Sequence, residues 1–200
     1  MDKSAMYQLS YGLFVLSAKE GEFQNGCIVN TAIQVTSDPN RISVTVNKAN
    51  LTCEMIDRTG EFNVSVLTEA TPFAIFQHFG FQSGRDKNKF EGWGFKGTAK
   101  NGIYYLTNCT NAYISGKVIQ KIDLGTHIMF IADVTDAEVL SKEPSVTYAY
   151  YQKSIKPQPA EKKATGYTCT VCGYVYEGDE LPADFICPIC KHGTDVFVKN

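Results

Sequence analysis

Several features that would assign a function at once are missing from this sequence. Among its 200 residues no apolar run is long enough to span a membrane, and a formal net charge of −2 provides no basic field for nucleic acid. The sequence contains no G-x-G-x-x-G stretch, no phosphate-binding P-loop pattern and no internal repeat. We therefore expect no membrane span and no nucleic-acid partner, and a doubly wound nucleotide fold is disfavoured.

The first residues also lack the pattern of a secretory leader, which is a basic stretch followed by an apolar one and a small-residue cleavage site. We therefore expect a cytoplasmic protein, in which thiols stay reduced. Cysteine itself is not scarce, since there are seven. Because this number is odd and four of the cysteines form a paired motif, Cys27, Cys53 and Cys109 are expected to be free thiols.

Two C-x-x-C pairs near the end of the sequence, Cys169/Cys172 and Cys187/Cys190, carry the strongest chemical signal. Four thiolates suit tetrahedral zinc and tetrahedral iron, so the spacing alone leaves the metal open. Zinc would make the segment a structural ribbon, whereas iron would make it an electron carrier. The residues from Gly166 to Asn200 are too few for a good apolar core, so a bound metal is expected to hold them together.

A polar stretch separates this segment from the rest of the sequence. Residues 153–165, KSIKPQPAEKKAT, contain two prolines and no aromatic residue and are predicted to form a linker. We thus predict a first domain over residues 1–152 and a small metal domain over residues 166–200. The first domain has β-branched and aromatic runs between turn residues and only two short helical patterns, so the fold class is mainly β. Many antiparallel strands with few helices favour a closed barrel.

The metal segment has the pattern C-x-x-C-G-Y-x-Y, then C-P-x-C, then a terminal phenylalanine. This pattern resembles rubredoxin over residues 166–200, although the insert between the pairs, the 14 residues 173–186, is shorter than in free-standing rubredoxins. It is similar to the abbreviated modules that are fused to other redox domains. The resemblance implies one iron bound by Cys169, Cys172, Cys187 and Cys190, and a zinc ribbon is the alternative.

The larger domain contains NGCIVNT, a D-P turn, a hydrophobic strand ending in N-K, and GEFNVSVL, in that order. Taken alone, asparagine and threonine at a helix start are more often caps than a phosphate site. The order nevertheless strongly resembles the flavin reductase-like FMN-binding split barrel over most of residues 7–151. The resemblance implies an antiparallel split β-barrel with a few short helices that binds FMN, commonly within a homodimer formed by this domain.

The resemblance assigns the flavin to residues in three segments. The first segment would line the isoalloxazine ring and ribityl chain, through backbone as well as side-chain atoms. The second would hold ribityl and phosphate at a helix start, and the third, in FQSGRDKNKF, would complete the phosphate site. In that order the residues are Asn25, Cys27, Ile28, Val29, Asn30 and Thr31; Asn47, Lys48, Asn50, Leu51 and Thr52; and Ser83, Arg85 and Lys89. Without the resemblance, the third segment would be interpreted as a solvated charged turn.

One departure from the family concerns a histidine. The family usually has G-D-H before a late strand, whereas this sequence has Gly125-Thr126-His127. In related reductases this histidine stands near the nicotinamide, which makes His127 the candidate catalytic residue for reaction with NAD(P)H. Because the acid is missing, the orientation of His127 stays open, and a packed histidine at a strand end is the alternative.

The two resemblances together imply the domain order of the high-molecular-weight rubredoxins of anaerobic bacteria. They imply an NAD(P)H:rubredoxin oxidoreductase that passes electrons from NAD(P)H through FMN to an Fe(SCys)4 centre. A flavodiiron protein that reduces O2 or NO would be the acceptor. The alternatives are a free-flavin reductase with a structural metal knuckle, a zinc-ribbon binding module, and a passive carrier reduced by another enzyme. The choice between NADH and NADPH stays open, and the linker composition predicts mobile docking of the metal domain.

Overall fold

The computed structural model describes residues 2–157, 166–190 and 192–200. Most of the predicted linker, residues 158–165, lies outside the described residues, so the predicted domain boundaries stay a prediction. In the described part of the chain, no helix is long and apolar enough to cross a membrane.

The larger domain consists mainly of antiparallel strands, which confirms the predicted fold class. Seven strands form one sheet in the order β2-β1-β5-β8-β9-β4-β3, and β6 and β7 pair separately. Their sequences are rich in valine, isoleucine and aromatic residues, which suit a half-buried pleated surface. The strands are β1 Phe14–Glu20, β2 Phe23–Val29, β3 Ile33–Ser37, β4 Asn40–Asn47, β5 Glu61–Leu67, β6 Lys96–Thr98, β7 Tyr104–Leu106, β8 Thr110–Asp123 and β9 His127–Val139.

Strands from both halves of the large sheet surround one apolar core. Leu16 of β1 and Phe62 of β5 belong to the same buried cluster as Val44 of β4 and Phe130 of β9. A flat sheet could not bring these side chains together, so the sheet curls as a barrel requires. This curvature places the ends of β2, β4 and β9 near the first helix, where the candidate site lies.

Two short helices, α1 Leu51–Thr59 and α2 Phe73–Gly80, interrupt the strands where the sequence predicts them. α1 ends at Gly60, whose φ of 73° is the left-handed conformation that glycine adopts most easily. α2 begins directly after Pro72, which occupies the cap position and whose fixed backbone angle suits a helix start. A third helical turn, α3 Tyr148–Tyr150, continues into a wider turn over Tyr151–Ile155.

The small domain, called the knuckle below and comprising the described residues from Gly166 onward, has its own three-stranded sheet. Its order is β11-β10-β12. The ring of Phe185 lies 4.7 Å from that of Tyr176 and 5.5 Å from that of Phe197, measured between centroids, and these aromatic contacts replace a larger core. The strands are β10 Tyr167–Cys169, β11 Val175–Tyr176 and β12 Phe197–Lys199.

Candidate functional site

The four paired cysteines of the knuckle lie together and are buried. Their four Sγ atoms all lie within 4.8 Å of one another. The Sγ atoms of Cys169 and Cys190 are 3.6 Å apart, and those of Cys172 and Cys187 are 3.5 Å apart. A tetrahedral metal with metal–sulfur bonds of about 2.3 Å needs sulfur atoms about 3.8 Å apart. The four thiols therefore fit a single tetrahedral ion.

Backbone N–H groups point at these sulfur atoms. Burial raises the pKa of the Cys172 thiol well above its usual range, and the backbone N–H of Tyr174 works against that rise. At Cys187 burial also favours the thiol, but N–H groups from Cys190 and Ile189 hold its pKa below the usual value. Such N–H···S bonds stabilise thiolates and tune the potential of an iron that they bind.

Backbone hydrogen bonds shape the turns around the cysteines. Gly173 follows Cys172 with a φ of 80° and donates its N–H to the carbonyl of Cys169 at 2.9 Å. On the other side, the N–H of Cys187 donates to the carbonyl of His192 at 2.8 Å. A residue with a Cβ is strained at such a positive φ, which accounts for the glycine directly after the first pair.

Apolar side chains cover the cysteine cluster. Val171, Tyr174, Ile189, Val196 and Phe197 come from the knuckle itself, and Phe81 comes from the larger domain, directly after α2. These side chains limit water at the sulfur atoms, as a redox metal site needs. Phe81 was not among the residues singled out from the sequence. In the sequence, the only indication of this role is that Phe81 directly follows a short helix.

In the larger domain, the three sequence segments assigned to the flavin come together. The Asn25 side-chain amide donates to the carbonyls of Gly84 and Lys87, at 3.0 Å each. A Cβ added to Gly84 would lie 2.9 Å from Asn25 Nδ2 and 3.4 Å from the Cβ of Leu51, so the loop packs closely over both residues. The start of β2, the start of α1 and the loop after α2 thus form one continuous surface.

The β2 side chains do not all face this surface. Cys27 and Val29 belong to the buried core cluster, whereas Ile28 packs on the other cluster near α2. Burial raises the pKa of the Cys27 thiol, and a hydrogen bond with the hydroxyl of Thr52 opposes that rise. Burial therefore favours the neutral thiol of Cys27 over the thiolate. Because the side chains of Cys27 and Val29 lie in the core, these residues would contact a flavin through their backbone atoms.

The loop from Asn30 to Thr31 is tied to the neighbouring strand. The Thr31 hydroxyl donates to the carbonyl of Thr45 at 2.7 Å and accepts the N–H of Thr45 at 3.2 Å. Asn30 is half-buried beside it. Thr31 therefore fixes the chain that follows β2 against β4, which keeps the predicted ribityl-lining segment in place.

The start of α1 has the features of an anion site. Within the described residues, the Asn50 side chain makes no capping hydrogen bond. The first backbone N–H groups of α1 therefore have no side-chain partner at the cap position. The side chain of Asn47 accepts the N–H of Ala49 at 2.9 Å. Lys48 reaches Asp123 at the end of β8, with Nζ 2.7 Å from a carboxylate oxygen. A helix N-terminus attracts a phosphate, and Lys48 would have to exchange Asp123 for that phosphate to contact it.

Arg85 and Lys89 lie in the loop after α2 but occupy different environments. Arg85 is half-exposed and forms an ion pair with Glu54 of α1. Lys89 is only 2% exposed, and its Nζ donates to the carbonyls of Gly26 and Phe79 at 2.9 Å each. Burial lowers the pKa of Lys89. The structure thus differs from the expected direct phosphate contact, because this ammonium ties the loop to β2 and α2 from inside.

The third residue assigned to this loop, Ser83, lies at its turn. The Ser83 hydroxyl accepts the N–H of Arg85 at 3.1 Å. This bond fixes the two residues relative to each other, and neither side chain is buried. Ser83 and Arg85 are therefore placed where an anion could reach both.

His127 begins β9, directly opposite Asn47 of β4. Its Nδ1 lies 2.8 Å from the hydroxyl of Thr126. Threonine thus takes the position of the acid that the family usually has and orients the ring. The sequence does not predict this orientation, because a neighbouring threonine hydroxyl can either bond the histidine ring or face solvent.

Known proteins resemble the chain over both domains. The flavin reductase like domain matches residues 6–158, and the rubrerythrin, rubredoxin-like domain matches residues 167–198. A high molecular weight rubredoxin from Moorella thermoacetica is 40% identical over 227 aligned residues, which cover 98% of this chain and 99% of that protein. The chain belongs to the high molecular weight rubredoxin family. The predicted family is confirmed.

A second relative and a solved structure are also similar to the chain. A ferric-chelate reductase (NAD(P)H) from Archaeoglobus fulgidus is 38% identical over 167 residues, covering 84% of this chain and 98% of that one. The NADH:FAD oxidoreductase SgcE6 from Streptomyces globisporus shares the fold, with a TM-score of 0.65 and 16% identity over 72% of this chain and 85% of that chain. This high molecular weight rubredoxin relative is therefore an electron-transfer oxidoreductase, with a flavin reductase-like domain followed by a rubredoxin-like metal site.

Proposed function

We propose that the protein takes electrons from NAD(P)H into FMN in the larger domain, passes them to one iron in the knuckle, and delivers them to an acceptor protein. The observation that carries this proposal is the position of Phe81. Its side chain packs on the four-cysteine cluster, and it begins the loop that continues to Ser83 and Arg85. The two proposed redox sites therefore adjoin one short segment of chain.

Iron is proposed over zinc because of the surroundings of the thiolates. The cluster is buried under apolar side chains, and N–H groups point at its sulfur atoms. When bound, a flavin exchanges electrons in pairs or singly, and an iron tetrathiolate takes one at a time. Zinc has no redox chemistry, and a ribbon would not explain the fusion to a flavin reductase-like domain.

Residues at the start of α1 and in the following loop would hold the flavin phosphate. The N–H groups at the α1 N-terminus contribute positive partial charge, and Ser83 with Arg85 faces them from the neighbouring loop. Arg85 would exchange Glu54 for the phosphate, since a guanidinium binds phosphate through two parallel hydrogen bonds. The proposed site would hold one phosphate group. FMN carries one and FAD carries two, so FMN is proposed over FAD.

His127 would act on the nicotinamide side. Thr126 fixes the ring through Nδ1, which leaves Nε2 as the nitrogen that can meet a substrate. Its strand partner is Asn47, at the start of the proposed phosphate and ribityl segment. The role proposed for His127 is to position NAD(P)H.

Two partners are also proposed. A homodimer through the flavin domain is supported by apolar side chains on the edge strand β3, where Ile33 is 64% exposed and Val35 is 46% exposed. Large exposed apolar side chains close together on an edge strand favour a protein contact. A flavodiiron protein that reduces O2 or NO is proposed as the acceptor on the strength of the family resemblance.

Visible spectra recorded under anaerobic conditions test the proposal. The purified protein should contain one iron and one FMN per chain, and NADH or NADPH should bleach the flavin and iron bands together. Zinc with no visible absorption would instead support a binding module. Flavin that is lost on gel filtration would support a free-flavin reductase. Bands that respond only to a chemical reductant would support a passive carrier.

A further inference from the structure

The loop after α2, residues 81–90 and called the shared loop below, contacts the barrel on one side. Asn25 binds its backbone at Gly84 and Lys87, and the ammonium of Lys89 binds the carbonyl of Gly26 from within. Arg85 pairs with Glu54 of α1. Movement of this loop would therefore change the shape of the proposed phosphate site.

The other side of the shared loop faces the knuckle. A cavity of about 440 Å³ lies between them, lined by Phe81, Gln82, Ser83, Asp86 and Lys87 from the loop and by Cys190 and His192 from the knuckle. The side chain of Phe81 itself packs on the cysteine cluster. Ser83 thus belongs both to the proposed phosphate site and to the cavity against the knuckle.

A second contact lies on the same side of the barrel. Val171, which lies between the first two cysteines, lines a cavity together with Ile28, Gly80, Phe81 and Tyr151 from the larger domain. A Cβ added to Gly80 would lie 3.2 Å from Ile28, so β2 and the end of α2 are in close contact. The knuckle therefore docks where the flavin-lining strand meets the start of the shared loop.

We propose that the shared loop couples flavin binding to docking of the knuckle, so that each stabilises the other. This inference rests on the proposed function, because it requires FMN phosphate at Ser83 and Arg85. A docked knuckle holds the loop before the phosphate arrives, and an ordered site binds its ligand more tightly than a loose one. By linkage, bound FMN must favour docking by the same factor.

A pair of matched variants tests the coupling through FMN affinity. Val171→Glu places a charge in the docking contact, and Val198→Glu places the same charge on β12 of the knuckle, where the side chain is 53% exposed. Both are made in the full-length protein, loaded with zinc and freed of flavin, and FMN is titrated by its fluorescence. We expect Val171→Glu to bind FMN about fivefold more weakly or worse, and Val198→Glu to match the unaltered protein. Zinc content checks that both metal sites remain intact.

Amide NMR of the unaltered zinc-loaded protein provides the reciprocal measurement and needs no variant. Addition of FMN should shift the amide signals of Cys190 and His192, which line the cavity against the loop, and leave that of Val198 in place. Equal FMN affinity in both variants together with unmoved Cys190 and His192 signals would overturn the coupling and leave the proposed function standing. Failure of the unaltered protein to bind FMN would overturn both the coupling and the proposed function.

Discussion

Replacement of Lys89 by methionine separates two roles for this residue, a phosphate contact and an internal support. Methionine has a similar length and no charge, so it fills the same space without the ammonium. In the structure the ammonium donates to the carbonyls of Gly26 and Phe79, at 2.9 Å each. If Lys89 supports the loop from inside, the variant should lose folding stability. If Lys89 contacts the phosphate, the variant should lose FMN affinity.

The size of the stability loss follows from two opposing contributions. Each buried carbonyl left without its partner costs about 1–3 kcal/mol. Against this, the variant no longer buries an ammonium, whose desolvation costs several kcal/mol. The two carbonyls together lose about 2–6 kcal/mol, and the relief of ammonium desolvation offsets part of this, so we expect a net loss of about 2 kcal/mol in the free energy of unfolding, within the range of buried hydrogen-bond mutants.

Urea unfolding of the flavin-free, zinc-loaded protein measures this loss. Trp93 is the single tryptophan, and its ring stacks on His78 beside α2 at a centroid distance of 4.6 Å, so its fluorescence reports on this region. Lys117→Met on β8, where the lysine is exposed, is the matched control and should change stability little. A Lys89→Met protein as stable as that control, with FMN binding abolished, would refute the reasoning and restore the phosphate contact expected from the sequence.

The pH dependence of the same variant provides an independent check. Burial lowers the pKa of Lys89 in the folded protein. Between that lowered pKa and the ordinary value of about 10.4, the unfolded chain binds more protons, so this residue makes the free energy of unfolding rise with pH. The contribution vanishes in Lys89→Met. The stability difference between the unaltered protein and the variant should therefore grow as pH rises through this window, and a constant difference would contradict the buried ammonium.

Three further outcomes are expected. Cys187→Ser should remove metal binding and the order of the knuckle, measured by metal content and by amide NMR, while barrel signals persist; a fully ordered knuckle would contradict a metal-held fold. Arg85→Ala should weaken FMN binding by about tenfold or more because a charge-assisted contact is lost, whereas Glu54→Gln, which releases Arg85, should not weaken it; equal losses would place the arginine in a purely structural role. Thr126→Val should slow flavin reduction by NAD(P)H and leave FMN affinity unchanged, because only the orientation of His127 is altered; an unchanged stopped-flow rate would exclude that positioning role.

The sequence predicts the strands and helices because their signals are local. Alternating β-branched and aromatic residues identify β1, β4 and β5, and Gly60 marks the end of α1. The run from residue 102 to residue 122 looks like one long strand but forms β7 and β8. Cys109 lies in the turn between them with a φ of 55°, a conformation that is uncommon for cysteine and has no composition signal.

The candidate site is less predictable because it depends on contacts between distant segments. Lys89 lies in a polar, charged stretch, and from the sequence alone it should be exposed; only the fold brings it under β2. The ion pair of Arg85 with Glu54 spans 31 positions, and that of Lys48 with Asp123 spans 75. The metal site, by contrast, can be predicted from the sequence, because two short C-x-x-C motifs contain all four cysteine ligands of one metal.

The predicted mobility of the knuckle and its docked position are compatible on energetic grounds. The docking contact includes a few apolar side chains, chiefly Phe81, Val171 and Tyr151, and polar ones such as Gln152 and Thr168, with cavities between the two surfaces. Small contacts of this kind permit relative domain motion. If the linker predicted from the sequence gives an effective concentration of about 1 mM, a contact with a dissociation constant near 1 mM is docked about half of the time. Near that balance, a change of about 1.4 kcal/mol from FMN binding or from Val171→Glu moves the docked-to-free ratio tenfold. Under that balance the knuckle leaves the barrel for an external acceptor at little cost in free energy.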